Sequence, residues 1–188
     1  MKKRTALALF AVAAVLVITA LAVILAIGPR PDADRPADRT VTVYFSNVER
    51  DPDAVCDRVF PVERRVTAEV PAVEAALRQL LGGPLPDERA QGYSSFFSDA
   101  TRSRIRGIRT GDGTVYLDLA DSRAELVGAN SSCGSASLLA QLEQTVSANG
   151  GYDRIIVAFD GDPELFYEWL QIGCGEANDY CDPSPFRR

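Results

Sequence analysis

Residues 71–84 read PAVEAALRQLLGGP, and this stretch sets the architecture. Val73, Ala76, Leu77, Leu80 and Leu81 recur at i, i+3, i+4, i+7 and i+8, a full apolar stripe on one helix face. Pro71 suits a helix start, and Gly82-Gly83-Pro84 stops the helix. A helix with one apolar stripe needs a surface to cover, and its neighbours in the chain supply one. Upstream, Val41, Val43 and Phe45 alternate with Thr42 and Tyr44, as in a half-buried strand. After a loop over 51–57, residues 59–66 read as a second extended segment.

Downstream, 86–101 reads as a longer loop carrying Tyr93, Phe96 and Phe97. Residues 102–108 and 114–119 flank Gly111-Asp112-Gly113, a hairpin signal, and Gly107 interrupts the alternation as a bulge would. Residues 131–148 form a second helix with Leu138, Leu139, Leu142 and Val146 on its apolar edge, ended by Asn149-Gly150-Gly151. The unbroken apolar run 155–159 predicts a central strand covered on both faces. A short helix over 164–172 carries Leu165, Phe166, Trp169 and Leu170. The order predicts an α+β fold: a single mixed-sheet sandwich with two main helices on one face and a short C-terminal helix.

The N-terminus sets the compartment. Lys2, Lys3 and Arg4 precede an uncharged run from Ala6 to Ile27, roughly 33 Å long as a helix, enough to span a bilayer core. The basic cluster predicts a cytoplasmic N-terminus and an extracytoplasmic domain. Residues 1–28 are therefore expected to be an uncleaved transmembrane anchor. A cleaved signal ending near Ala20-Leu21-Ala22 is the rival, disfavoured because the run exceeds the usual h-region of about 7–15 residues. Residues 29–40, rich in Pro, Asp and Arg, read as an extended linker, and 162–188 as a C-terminal helix and Cys-containing tail.

Composition narrows the chemistry. Without Lys2, Lys3 and Arg4 the 20 basic residues fall to 17 against 26 acidic ones, a net charge of −9 for the exported part. Such a surface argues against nucleic acid as the partner. The chain has no His, the commonest general base and metal ligand. Its four cysteines, Cys56, Cys133, Cys174 and Cys181, read as two disulfides in an oxidising compartment. Four cysteines allow three pairings. Cys174 and Cys181 close a short loop that turns easily, which leaves Cys56 and Cys133 to meet at one end of the sandwich. The longer loop is worth about 2–4 kcal/mol by chain entropy.

Catalytic signals are weak. Ser131-Ser132-Cys133-Gly134-Ser135 could hold a nucleophile, but no base accompanies it, and serines at a helix start cap free N–H groups. Asp118 with Asp121, and Asp160 with Asp162, offer oxygens to a hard cation, yet neither pair continues into a calcium loop. No metal, cofactor or catalytic residue is therefore expected. Phe166, Tyr167 and Trp169 form an aromatic group: Phe166 and Trp169 are expected in the core, and Tyr167 is the candidate for an interaction surface.

In order and spacing the chain resembles the GerMN domain, a sporulation and spore germination family. The resemblance rests on Val41-Thr42-Val43-Tyr44-Phe45, on the Pro-Val-x-Arg-x-Val segment from Pro61 to Val66, and on Leu-Leu-x-Gly-Pro at Leu80 to Pro84. It continues through the strand after Asp112-Gly113, the helix reaching Thr145-Val146 and the strand closing on Asp160-Gly161. It covers 41–161, departs in the loop around Tyr93 to Phe97, and leaves the Cys-containing tail outside. The resemblance implies a non-enzymatic, membrane-tethered envelope module that contacts other envelope proteins near the cell wall. A sensor domain for a glycan or peptide is the alternative; an aromatic-lined deep pocket would favour it, and a flat exposed patch the scaffold.

Overall fold

The computed structural model describes residues 38–174 and 180–187, with Thr19 ahead of them. The anchor expected over 1–28 and nearly all of the linker lie outside the described residues. Among the described residues no helix is long and apolar enough to cross a membrane.

Six strands among the described residues form two three-stranded sheets. β1 (Asp38–Asn47) pairs antiparallel with β2 (Phe60–Thr67) and, at Ser46 and Asn47, with the short β3 (Tyr93–Ser94). β4 (Ile105–Gly111) and β5 (Thr114–Leu119) form the expected hairpin, and β6 (Arg154–Phe159) lies parallel to β5. The two-residue turn has φ of 49° at Asp112 and 72° at Gly113, the left-handed pair that a tight hairpin requires. The register slips between Ile105 and Gly107, where the bulge is expected.

Five α-helices among the described residues accompany the strands: α1 (Ala72–Leu80), α2 (Pro86–Arg89), α3 (Asp99–Arg102), α4 (Ser132–Ala148) and α5 (Pro163–Trp169). α1 and α4 pack on each other and on β1, α4 also reaches β6, and α5 lies on β6. One core joins both sheets through Val43, Phe45, Leu77, Leu80, Leu117, Leu138, Leu142, Val157, Phe159 and Phe166. Each large apolar side chain buried there contributes about 1.5–3 kcal/mol.

The α+β class stands, with one correction: the expected single mixed sheet is two sheets. The reason lies on α4. Ser137, Gln141, Thr145 and Asn149, four apart, form a buried polar row. Asn149 Oδ1 accepts from Thr42 N at 3.0 Å, Asn149 Nδ2 donates to Thr42 O at 2.6 Å, and Thr145 Oγ1 accepts from Tyr44 N at 3.0 Å. Four helical residues advance about 6 Å and two strand residues about 6.8 Å, so Thr145 and Asn149 meet the amides of Tyr44 and Thr42, while Gln141 and Ser137 further up the row bond the Ser95 and Ser46 hydroxyls. The helix thus takes the place of a neighbouring strand along β1.

The run 155–159 is buried as expected, but β6 is an outer strand rather than a central one, since the order is β4-β5-β6. Its free edge is closed by α5, where Val157 N donates to Tyr167 Oη at 3.4 Å. The stretch read as a loop over 86–101 contains α2, β3 and the start of α3, and residue 102 belongs to α3 rather than to the hairpin.

Candidate functional site

The loop after β1 builds one wall of an open groove. Asn47 is buried, and its Oδ1 accepts from Glu49 N at 3.0 Å and Arg50 N at 3.1 Å, which turns the chain sharply out of the strand. Asp51, itself buried, pairs with Arg58 at 2.5 Å and pins the loop's return. Cys56 is bonded to Cys133 with Cα atoms 4.9 Å apart, which ties the loop to the first turn of α4.

The facing wall is the start of α4 and the turn before it. Ser131 Oγ accepts from Gly134 N at 3.1 Å and caps the helix. A Cβ at Gly134 would lie 2.2 Å from Gly128 O, so only glycine lets the turn close on the helix. The resulting groove holds about 380 Å³ and is lined by Val48, Val55, Phe96, Ser46, Ser94 and Ser137 among others. Val48 is 71 % exposed and Val55 38 %, while Phe96 is the one aromatic ring that the described residues bring to the lining. The Ser46 and Ser137 hydroxyls bond each other at 2.9 Å on its floor. An open groove of this kind can seat an apolar side chain and offer hydroxyls to a peptide backbone.

Ser131, Ser135 and the four aspartates singled out in the sequence each take a partner within the fold. Ser135 is buried, and its Oγ donates to Leu170 O at 2.9 Å. Asp118 Oδ1 accepts from Gly161 N at 2.8 Å, and Arg106 spans Asp118 and Asp160. The side-chain hydrogen bond from Arg123 holds the Asp121 carboxyl below its usual range. Asp162 caps α5 by accepting from Glu164 N at 2.9 Å. Glu164, Glu168 and Cys174 place ligand-type atoms within 4.8 Å of one another, but the Cys174 sulfur is bonded to Cys181 and offers no thiolate.

The aromatic group lies elsewhere, on α5. Phe166 is 1 % exposed and Tyr167 only 3 %, so Tyr167 is core rather than the outward surface expected for it. Tyr180 stacks on the Tyr167 ring at a centroid distance of 5.1 Å, and burial pushes the Tyr167 phenol well above its ordinary range. Trp169, half-buried, leans on Phe159 at 5.5 Å. The second disulfide joins Cys174 to Cys181, the residue after Tyr180, with Cα atoms 5.7 Å apart.

The family model described as Germane, sporulation and spore germination, matches residues 42–165. The chain belongs to the Germane family. The matched span runs from within β1 to the first turn of α5, so the groove falls inside the Germane domain and the Cys174–Cys181 tail outside it. No curated protein and no solved structure matches the chain. The groove itself was not foreseen in the sequence. Val48, Val55 and Gly128 sit in irregular loops without periodicity, and the signal that could have found them was the Cys56–Cys133 pair, which brings those two loops together.

Proposed function

We propose that this Germane domain is an extracytoplasmic, non-enzymatic module that docks other envelope proteins near the cell wall, tethered by the apolar segment at residues 6–27. The observation that carries the reading is the groove beside the Cys56–Cys133 bridge. Its walls are fixed by a disulfide and an ion pair, while its rim exposes Val48 and Val55 to solvent. A preformed apolar patch with few moving parts loses little entropy on binding and suits protein recognition. Two exposed valines and a single ring match a protein's side chains better than the aromatic-lined pocket of a sugar or peptide sensor. The two disulfides support an oxidising compartment for the domain.

The test is proximity labelling from the full chain in its native membrane. Val48→Glu with Val55→Glu should abolish labelling of the specific envelope neighbours while leaving the amount of protein unchanged, because both side chains are already exposed. An identical set of labelled neighbours in the double variant would refute docking in the groove.

A further inference from the structure

β2 is the outer strand of the first sheet. Thr42 N and Tyr44 N point toward α4, so their cross-strand neighbours Glu63 and Pro61 form the non-hydrogen-bonded pairs of the β1–β2 ladder. By alternation the backbone N–H and C=O groups of Glu63, Arg65 and Thr67 face outward, and among the described residues no loop bonds to them. The Glu63 and Arg65 side chains are exposed and lie two apart on the face away from the core.

We propose that β2 is a self-pairing edge: a second copy of this chain adds its own β2 antiparallel, about a two-fold axis through Arg64. This register sets Glu63 of each copy opposite Arg65 of the other, so the pair exchanges backbone hydrogen bonds on both sides of the axis and forms two cross-strand ion pairs. Charge selects the register. Sliding the strands by one residue per copy centres the axis on Glu63 or on Arg65 and sets like charges face to face on the exposed side, whereas Arg64, which meets its own copy on the inner face, is already neutralised by Glu88. Edge strands are commonly guarded by charge and proline; here the two charges have opposite signs and sit symmetrically about Arg64, which favours the strand's own copy over any other edge. On the inner face, half-buried Val62 falls opposite Val66 of the other copy, and half-buried Phe60 falls opposite its Ala68, beside that copy's open groove of about 330 Å³ lined by Val66, Val70 and Ala75. Pro61, lacking an N–H, lies opposite Thr67 and ends the ladder. This surface is separate from the groove beside the Cys56–Cys133 bridge and does not rest on it.

Sedimentation of the full chain in mild detergent, over a concentration series, tests the pairing. A reversible monomer–dimer equilibrium is expected. Glu63→Arg should weaken it about tenfold or more by opposing like charges at two symmetric places. Glu63→Arg combined with Arg65→Glu should restore it, because the swap recreates both ion pairs. Arg65→Pro removes one outward N–H per copy and leaves the β1 ladder whole; it should abolish the dimer with the thermal melt of the monomer unchanged. A chain that stays monomeric throughout, a dimer indifferent to Glu63→Arg, or a charge swap that folds but does not restore pairing would each overturn the proposal.

Discussion

Arg64 sits in the middle of β2 with its side chain turned inward and only 6 % of it exposed. Its Nε and Nη2 reach Glu88 at 3.0 and 2.5 Å, Nη1 donates to Gln79 O at 2.9 Å, and Nη2 donates to Gly83 O at 3.0 Å. The guanidinium also lies 5.2 Å from the Phe45 ring centre. One cation therefore satisfies carbonyls at the end of α1 and holds α2 through Glu88, which accepts in turn from Leu85 N at 2.7 Å. This explains why an arginine stands inside the Pro-Val-x-Arg-x-Val segment, where alternation alone would ask for an apolar residue. Arg64→Met should cost about 3–5 kcal/mol, because it strands the Glu88 carboxylate and two carbonyls. Arg64→Met with Glu88→Leu should recover only part of that, since Gln79 O and Gly83 O still lack a donor. Urea unfolding with the disulfides intact measures both; full recovery in the double variant would contradict this role.

Between elements, the helices close strand edges with side chains, and this is the part the sequence concealed. Leu138, Leu142 and Val146 on α4 are buried as their spacing predicts, but Ser137, Gln141, Thr145 and Asn149 are buried as well. Polar residues at helical spacing read as a solvated face, and only the neighbouring strand reveals them as hydrogen-bond partners. Tyr167 misleads in the same way: adjacent to Phe166 it should face elsewhere, yet Tyr180 covers it from the tail. Strands and main helices were legible because their apolar periodicity reflects the core directly. The count of sheets was not, because it depends on which backbone amides meet a side chain and which meet a strand. Thr145→Val should leave the part-buried Tyr44 N without an acceptor and cost about 1–3 kcal/mol, read as a lower thermal midpoint. Its neighbour Gln144 is exposed to solvent, so Gln144→Ala should fall within about 0.5 kcal/mol of the parent. Equal costs for the two would contradict the strand-substituting role of α4.

Across the fold, the two disulfides do different work. The Cys56–Cys133 link spans 77 residues and unites the loop after β1 with α4; with that loop length the chain-entropy picture gives about 4–5 kcal/mol, above the general range of about 2–4 expected from the sequence. The Cys174–Cys181 link spans 7 residues, holds the tail segment whose Tyr180 covers Tyr167, and is worth about 2–3 kcal/mol by the same relation. The first therefore shapes the groove, and the groove carries the functional reading. Photo-crosslinking puts docking in the groove to the sharpest test, with the reactive residue placed at Val48 in the full chain in its native membrane. The same residue at Asp112 on the hairpin turn is the control. A discrete adduct with an envelope protein is expected from Val48 and none from Asp112. No adduct from Val48, or the same adduct from both positions, would contradict docking in the groove.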